Sequence, residues 1–439
     1  MKYYKNLNIK GAVLDKYALG KYIESVAENH NIVTISKKCT FPIADMKENF
    51  KFIFQTYELL NEHLKMGISI HSAGEWILDN FYLIEETVKN IENEVSIDKY
   101  KSLNGIGDGK YEGYARIYVL ASEIVGYTGA KLDSDIIKYA IDSYQLKKLL
   151  TIDELIMFPI FLKISIIQNI ANACEKIYVS QIQKCKVEDI CLRILEQKED
   201  EEYSRGKFRI NIKNKFDYSD LKNSFIEYMS YKLKKKGDIG NKFLEILNEQ
   251  VEYTGTTVDE VIKKEHLHIA TIKNNLGNSI TSIKNINRIN FKTLFADVNK
   301  VEEILNNDPA NVFKNMTIDT KDMYFETITN ISKKIKMSEI FIAKQVLILA
   351  KRYENVEKEN KKEYRKCHVG YYLIDDGYYE LLSKLTGKEV NKDAKKQKSI
   401  IYVRSTFYIP ILISLLMIYM MKIRSYYGIL VFILLLFPV

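Results

Sequence analysis

Seventeen consecutive uncharged residues, STFYIPILISLLMIYMM at positions 405–421, constrain this chain more than any other feature. As a helix rising about 1.5 Å per residue they reach about 26 Å, and residues 400–403 extend them to about 33 Å, enough for a hydrocarbon core of about 30 Å. Arg404 then lies within the first turn and snorkels to the headgroups. A buried helix of a soluble protein is the alternative, but such helices rarely lack a polar stripe for so long. A short basic stretch, Lys422-Ile423-Arg424, follows, and a second apolar run continues from 425 to 439. That run reaches only about 22 Å, short of a full span. With no polar residue beyond it, the chain reads as cut off inside a transmembrane hairpin.

Basic residues set the expected orientation. Lys384, Lys388, Lys392, Lys395, Lys396, Lys398 and Arg404 precede the first span, against Lys422 and Arg424 after it. Positive residues stay on the cytoplasmic side, so the large N-terminal part is expected in the cytosol, tethered to the cell membrane by a multi-pass end. The lipid bilayer is thus an expected partner. The linker at 392–404 either touches anionic headgroups, at about 1 kcal/mol per charge, or is simply solvated.

Before that end the pattern is helical. Only 5 prolines and 19 glycines punctuate 439 residues, too few for a turn-rich sandwich or barrel. Phe50, Ile53, Phe54, Tyr57, Leu60 and Leu64 recur at steps of three and four, one face of a helix. Ser72 with Glu75, Thr151 with Glu154, and Thr257 with Glu260 have the spacing of capping boxes. The stretch IMFPIFLKISII (156–167) is the most apolar of this part; Lys163 makes it a core helix rather than a span, and Pro159 is expected to kink it. The charged segment EQKEDEEYSRGK (196–207) has no apolar face and reads as a boundary. The expected fold is all-α: helical subdomains at 1–200 and 208–391, the linker at 392–404, and transmembrane helices at 405–421 and 425–439.

The residues offer little chemistry. A net charge of +8 spread over the chain is not a nucleic-acid signature, and the run KLKKK (232–236) is too short for a groove. Five cysteines, Cys39, Cys174, Cys185, Cys191 and Cys367, form no CxxC pair, which argues against a disulfide framework or structural zinc. Glu75 and Asp79 are four apart on one helix face, and such a pair can do acid/base work. A capping role for Glu75 and a packing stripe through Trp76, Leu83 and Ile84 are the structural alternative. Glycine-rich GIGDGKYEGY (105–114) lacks the GK[ST] of a phosphate loop and reads as a turn. His266 and His268 face different directions, His63 and His71 are poorly spaced for ligation, and no HExxH occurs. Cys367-His368 sits in an apolar, tyrosine-rich stretch, where a satisfied core histidine is expected. The residues therefore assign no catalytic, cofactor-binding or metal-binding site.

Six segments, in order and roughly in register, resemble the N-terminal region of cyclic β-1,2-glucan synthases. They are EWILDNFYLIEE (75–86), TIDELIMFPIFLKISIIQNI (151–170), GTTVDEVIKKEH (255–266), GNSITSIKNI (277–286), DPANVFKNMTIDTKDMY (308–324) and CHVGYYLIDDG (367–377). The resemblance covers residues 10–439. It implies a cytosolic helical region with a scaffolding or regulatory role, inactive by itself. In the family, a downstream membrane-embedded glycosyltransferase module polymerises glucose from UDP-glucose with a divalent metal, and a glycoside-phosphorylase-like module lies near the C-terminus; the former is the partner implied here. The chain departs from the family pattern in places. Tyr114-Ala115-Arg116 stands for a Tyr-Pro-Arg, Ile156 for a tryptophan, and Lys321 and Met323 for arginines near Tyr324. The last pair is expected to weaken a polar contact, because lysine lacks arginine's bidentate fork. The end at Leu436-Phe437-Pro438-Val439 resembles the middle of the family's second span. A free-standing membrane-anchored adaptor that docks a separate partner is the alternative, and a hydrolase using Glu75 and Asp79 is a third reading.

Overall fold

The computed structural model describes residues 13–35, 40–195, 223–357 and 359–389. Among the described residues the fold is all-α apart from one small ribbon. In chain order the helices are α1 (Lys16–Asn29), α2 (Pro42–Lys65), α3 (Gly74–Glu94), α4 (Ile97–Lys101), α5 (Arg116–Tyr127), α6 (Ser134–Gln145) and α7 (Ile152–Leu195). There follow α8 (Asn223–Lys234), α9 (Gly237–Glu252), α10 (Val258–Arg288), α11 (Phe291–Val298), α12 (Lys300–Leu305), α13 (Ile318–Ile335), α14 (Glu339–Lys351), α15 (Lys361–Tyr364), α16 (Val369–Ile374) and α17 (Tyr378–Thr386). Strands β1 (Ile32–Thr34) and β2 (Asn104–Ile106) pair antiparallel, Ile32 opposite Ile106. The glycine-rich stretch thus contributes β2 and a 3₁₀ turn at Gly109–Tyr111.

The chain divides into two compact units, Met1–Asn299 and Lys300–Val439. The boundary expected at 196–207 lies outside the described residues, and the division falls elsewhere. The reason is packing: α8 and α10, beyond that segment, lie against α7, which precedes it. The linker at 392–404 and the two membrane helices at 405–421 and 425–439 also lie outside the described residues.

The 44-residue α7 organises the first unit. Phe158, Phe161, Leu162, Ile166, Ile167, Ile170 and Ile177 are fully buried from its second turn to just past its middle, and the helix packs against α2, α3, α5 and α10. By length and composition it is the one described helix able to cross a membrane, yet 78% of its apolar window is buried inside the protein. That burial is the pattern of a core helix. Pro159 is the eighth residue of the helix, and the helix is continuous through it, although its ring gives up the backbone bond to the carbonyl of Leu155. A second, smaller core joins Val187, Ile190 and Cys191 of α7 to Phe225, Met229 and Leu233 of α8 and to Phe243, Leu247 and Val251 of α9. Between the two cores the buried face of α7 turns polar: Ser180, Gln181, Gln183 and Lys184.

Helix starts decide local geometry. Thr257 and Glu260 form a reciprocal capping box at α10. Thr151 and Glu154 do likewise at α7, Thr151 N–H donating to Glu154 Oε2 at 2.8 Å and Glu154 N–H to Thr151 Oγ1 at 3.4 Å. The box expected from Ser72 and Glu75 does not form. Helix α3 begins at Gly74 without a side-chain cap at Ala73. Instead, the imidazole of His71 accepts from Ala73 N–H at 3.1 Å, and its carbonyl accepts from Gly74 N–H at 2.7 Å.

The second unit wraps α12, α13, α16 and α17 around α14. Val346, Leu349, Phe313, Tyr372 and Leu381 are buried at its centre.

Candidate functional site

Three polar clusters sit inside these helices. The first occupies the polar waist of α7. The side-chain amide of Gln181 is oriented by partners of fixed role: His71 N–H donates to its Oε1 at 3.0 Å, and its Nε2 donates to Ser69 O at 3.1 Å. Gln181 Nε2 also lies 2.8 Å from His63 Nδ1. A donor facing Nδ1 requires that nitrogen to be bare, so the proton of neutral His63 resides on Nε2. His63 Nε2 in turn lies 3.1 Å from Cys185 Sγ, and its N–H donates to the sulfur.

This arrangement opposes thiol catalysis. A histidine base must present a bare Nε2 to the thiol, which would place a second proton-bearing nitrogen against the Gln181 amide. Burial, followed by Glu188, raises the Cys185 thiol above its ordinary range, so the thiolate is disfavoured. Burial also lowers His63. The Cys185–His63–Gln181 line is a structural network.

His71 is fixed in the same way. Since Ala73 N–H donates to Nδ1, the proton sits on Nε2. Burial, reinforced by Lys184 and His268, lowers this histidine to about 4, which keeps the ring neutral at pH 7. His71 is 1% exposed, and among the described residues its Nε2 has no partner, nor has Ser180 Oγ. Both residues line a cleft of about 620 Å³ with Glu175, Lys176, Lys264, Glu265 and His268. Residues 175, 176 and 180 share one face of α7, and 264, 265 and 268 share one face of α10.

The second cluster is a buried ion pair. Arg116 donates from Nε and Nη2 to the two oxygens of Glu154, both at 2.7 Å, and from Nη2 to Leu149 O at 2.7 Å. The arginine and glutamate side chains are 2% and 0% exposed. One carboxylate therefore caps α7 and anchors the first residue of α5. Ala115, just before it, has φ −62°, which suits proline, yet its N–H donates to Tyr100 Oη at 2.8 Å. A proline here would forfeit that bond.

The third cluster belongs to the second unit. Asp308 accepts from Val369 N–H at 3.0 Å, from Val312 N–H at 3.1 Å and from Phe313 N–H at 3.2 Å. His368 Nδ1 lies 2.7 Å from Asp308 Oδ2, and a carboxylate accepts only, so Nδ1 carries a proton; Tyr324 Oη, 3.0 Å from Nε2, donates to it when the ring is neutral. Burial pushes the Asp308 carboxyl upward, but the bonds from His368, Val369 and Phe313 outweigh it and hold the group below its ordinary range. Tyr324 is raised to about 12 by burial and by Asp308. A methyl group on Gly370 would overlap the Tyr324 hydroxyl and come within 2.6 Å of His368 Nε2. The cluster thus locks the segments around 308, 324 and 368, two of the six stretches that carry the family resemblance. Lys321, where an arginine was expected, pairs with Glu302 at 2.8 Å, and Met323 is exposed.

The other sequence candidates disperse. Glu75 and Asp79 both lie exposed on α3, away from the cleft. His266 is exposed on α10, and His268, also exposed, lines the cleft with His71. No group of three or more metal-ligating side chains occurs among the described residues. Lys232 of the KLKKK run pairs with Glu188 at 2.8 Å. Cys367 is buried and His368 is satisfied, as expected for a core histidine. What sequence reading missed are the pairings His63–Cys185 and Arg116–Glu154, which join residues far apart in the chain; the one signal for the latter was the Thr151–Glu154 spacing.

No protein-family model matches the chain. Over 293 residues it is 21% identical to the cyclic β-(1,2)-glucan synthase NdvB of Rhizobium meliloti (strain 1021). The match covers 67% of this chain and 10% of that protein, so the chain spans about a tenth of its relative's length. The helical chain described above is distantly similar to a cyclic β-glucan synthase.

Proposed function

We propose that this chain is a scaffolding or regulatory helical region of a membrane glucosyltransferase of the β-1,2-glucan synthase type, inactive by itself. The observation that carries the reading is the similarity over 293 residues to one tenth of a synthase. The structure is compatible with it: the polar clusters fix helices to one another, and the Glu75–Asp79 pair faces solvent. In this reading glucose polymerisation from UDP-glucose, with a divalent metal, belongs to a glycosyltransferase module outside the chain. Residues 405–421 and 425–439 attach the region to the cell membrane, with the helices on the cytosolic side.

The test is an antiserum against the helical region applied to washed membranes from the source cells. A band several times larger than 51 kDa, whose immunoprecipitate incorporates glucose from UDP-glucose into β-1,2-glucan, is expected. A membrane band at 51 kDa without such incorporation would overturn the proposal in favour of a free-standing adaptor.

A further inference from the structure

The cleft on the polar waist of α7 is built for a ligand. A buried donor without an acceptor costs about 1–3 kcal/mol, and native proteins rarely leave one. Here two such groups, His71 Nε2 and Ser180 Oγ, have no partner among the described residues, and both residues line one cleft. His71 Nε2 can only donate, so it calls for an oxygen acceptor. Ser180 Oγ can both donate and accept.

Charge narrows the ligand class. Lys176 and Lys264 line the cleft beside their chain neighbours Glu175 and Glu265, and the charges acting on Glu265 from Lys184 and Glu227 are likewise opposite in sign. His268, though exposed, is lowered by partial desolvation against its neighbours and by Lys176. There is no excess of either sign to attract a phosphate or a polycation. Buried Glu265, already beside Glu227, would repel a second anion. A neutral molecule whose groups each donate and accept satisfies the whole set, and hydroxyls do this. The volume falls within the range of about 300–1,000 Å³ typical of small-ligand sites, matching a di- or trisaccharide.

We propose that this cleft binds a short neutral oligosaccharide, with His71 Nε2–H and Ser180 Oγ–H donating to sugar oxygens and Glu265 accepting from sugar hydroxyls. Its identification as a β-1,2-linked glucose oligomer, a sample of the synthase's own product, rests on the function proposed above. The site would then let the helical region sense glucan.

The chain carries one tryptophan, on α3, which packs against α10. Trp76 lies just after His71 and packs over Gly277 of α10, where a Cβ would stand 3.2 Å from its ring. The full chain in nanodiscs is titrated with linear β-1,2-linked glucose di- and trisaccharides, cellobiose, maltose and inorganic phosphate, following Trp76 emission and calorimetric heat. Saturable binding of the β-1,2 sugars is expected, weakened at least tenfold in Ser180→Leu, which fills the wall, and in Glu265→Gln, which removes an accepting carboxylate. Both variants are checked by far-UV circular dichroism, and Glu265→Gln carries the test if Ser180→Leu misfolds. No heat with any saccharide overturns the proposal, as does binding of phosphate alone or saccharide binding unchanged in Glu265→Gln. Equal binding of cellobiose and maltose upholds the saccharide cleft but severs its tie to β-1,2-glucan. The synthase reading itself is decided separately by the immunoprecipitation.

Discussion

Glu154 shows how much one side chain can hold. It caps α7 and binds Arg116 at both carboxylate oxygens, in a place where neither charge reaches water. Removing one member of such a pair leaves the other buried and uncompensated. Glu154→Ala is therefore expected to destabilise the first unit by about 3–5 kcal/mol in a denaturant melt; a loss below ~1 kcal/mol would show that water reaches Arg116. The buried histidines give the acid response. His30 and His71 are both lowered to about 4, each chiefly by burial. Between that value and the ordinary ~6.5 the unfolded chain binds more protons than the folded one. Stability is thus complete above pH 6.5, falls as the pH drops to 4, and levels off below. At ~1.4 kcal/mol per pKa unit each histidine contributes up to about 3 kcal/mol to that loss. Urea melts across this range check the slope, and His30→Asn should remove about half of it. The chain's spacing showed the Glu154 cap but not its arginine, because a contact between residues 116 and 154 leaves no periodic trace.

Elements were legible where a single helix carries its own signal. Thr257 and Glu260 form their box because both partners lie within one turn. Thr257→Ala should cost about 1 kcal/mol, whereas Ser72→Ala should leave the melting midpoint within error, since His71 caps α3 in its place. Equal losses in the two would contradict the assignment. The stripe read on α2 proved to be rotated. Its buried face is Met46, Asn49, Ile53, Thr56, Leu60 and His63, while Phe54 and Leu64 are exposed. The aromatic residues Phe50, Phe54 and Tyr57 instead gather around Phe81 of α3, Phe50 and Tyr57 stacked with it and the Tyr57 ring centroid 4.2 Å away. Hydrophobicity alone misplaces a face whose buried positions include Asn49, Thr56 and His63; Thr56 donates to Phe52 O in its own helix, and only His63 takes its partner, Gln181, from a distant one.

At the scale of the whole molecule, the all-α class followed from helical periodicity and few breakers. The domain division did not, because a charged connection such as 196–207 marks a surface crossing and not which helices pack together afterwards. The division between Asn299 and Lys300 has a measurable counterpart. Gly370→Ala, which drives a methyl into the Tyr324–His368 contact, should lower a melting transition of the second unit by roughly 1–3 kcal/mol. Glu154→Ala should lower the first unit's transition, and calorimetry of the double variant should show both shifts adding. One transition moved equally by either substitution would mean that the units unfold as one.

Helix α7 also bears on how the first unit moves. One rod about 66 Å long has its first half in one apolar core and its last turns in another, with a buried polar joint between. A helix transmits twist and tilt without shortening, so a molecule lodged at the joint acts on both cores at once. Amide exchange should then be slowest between Phe158 and Ile177 and faster past Gln181, and whatever stiffens the joint should slow both ends together.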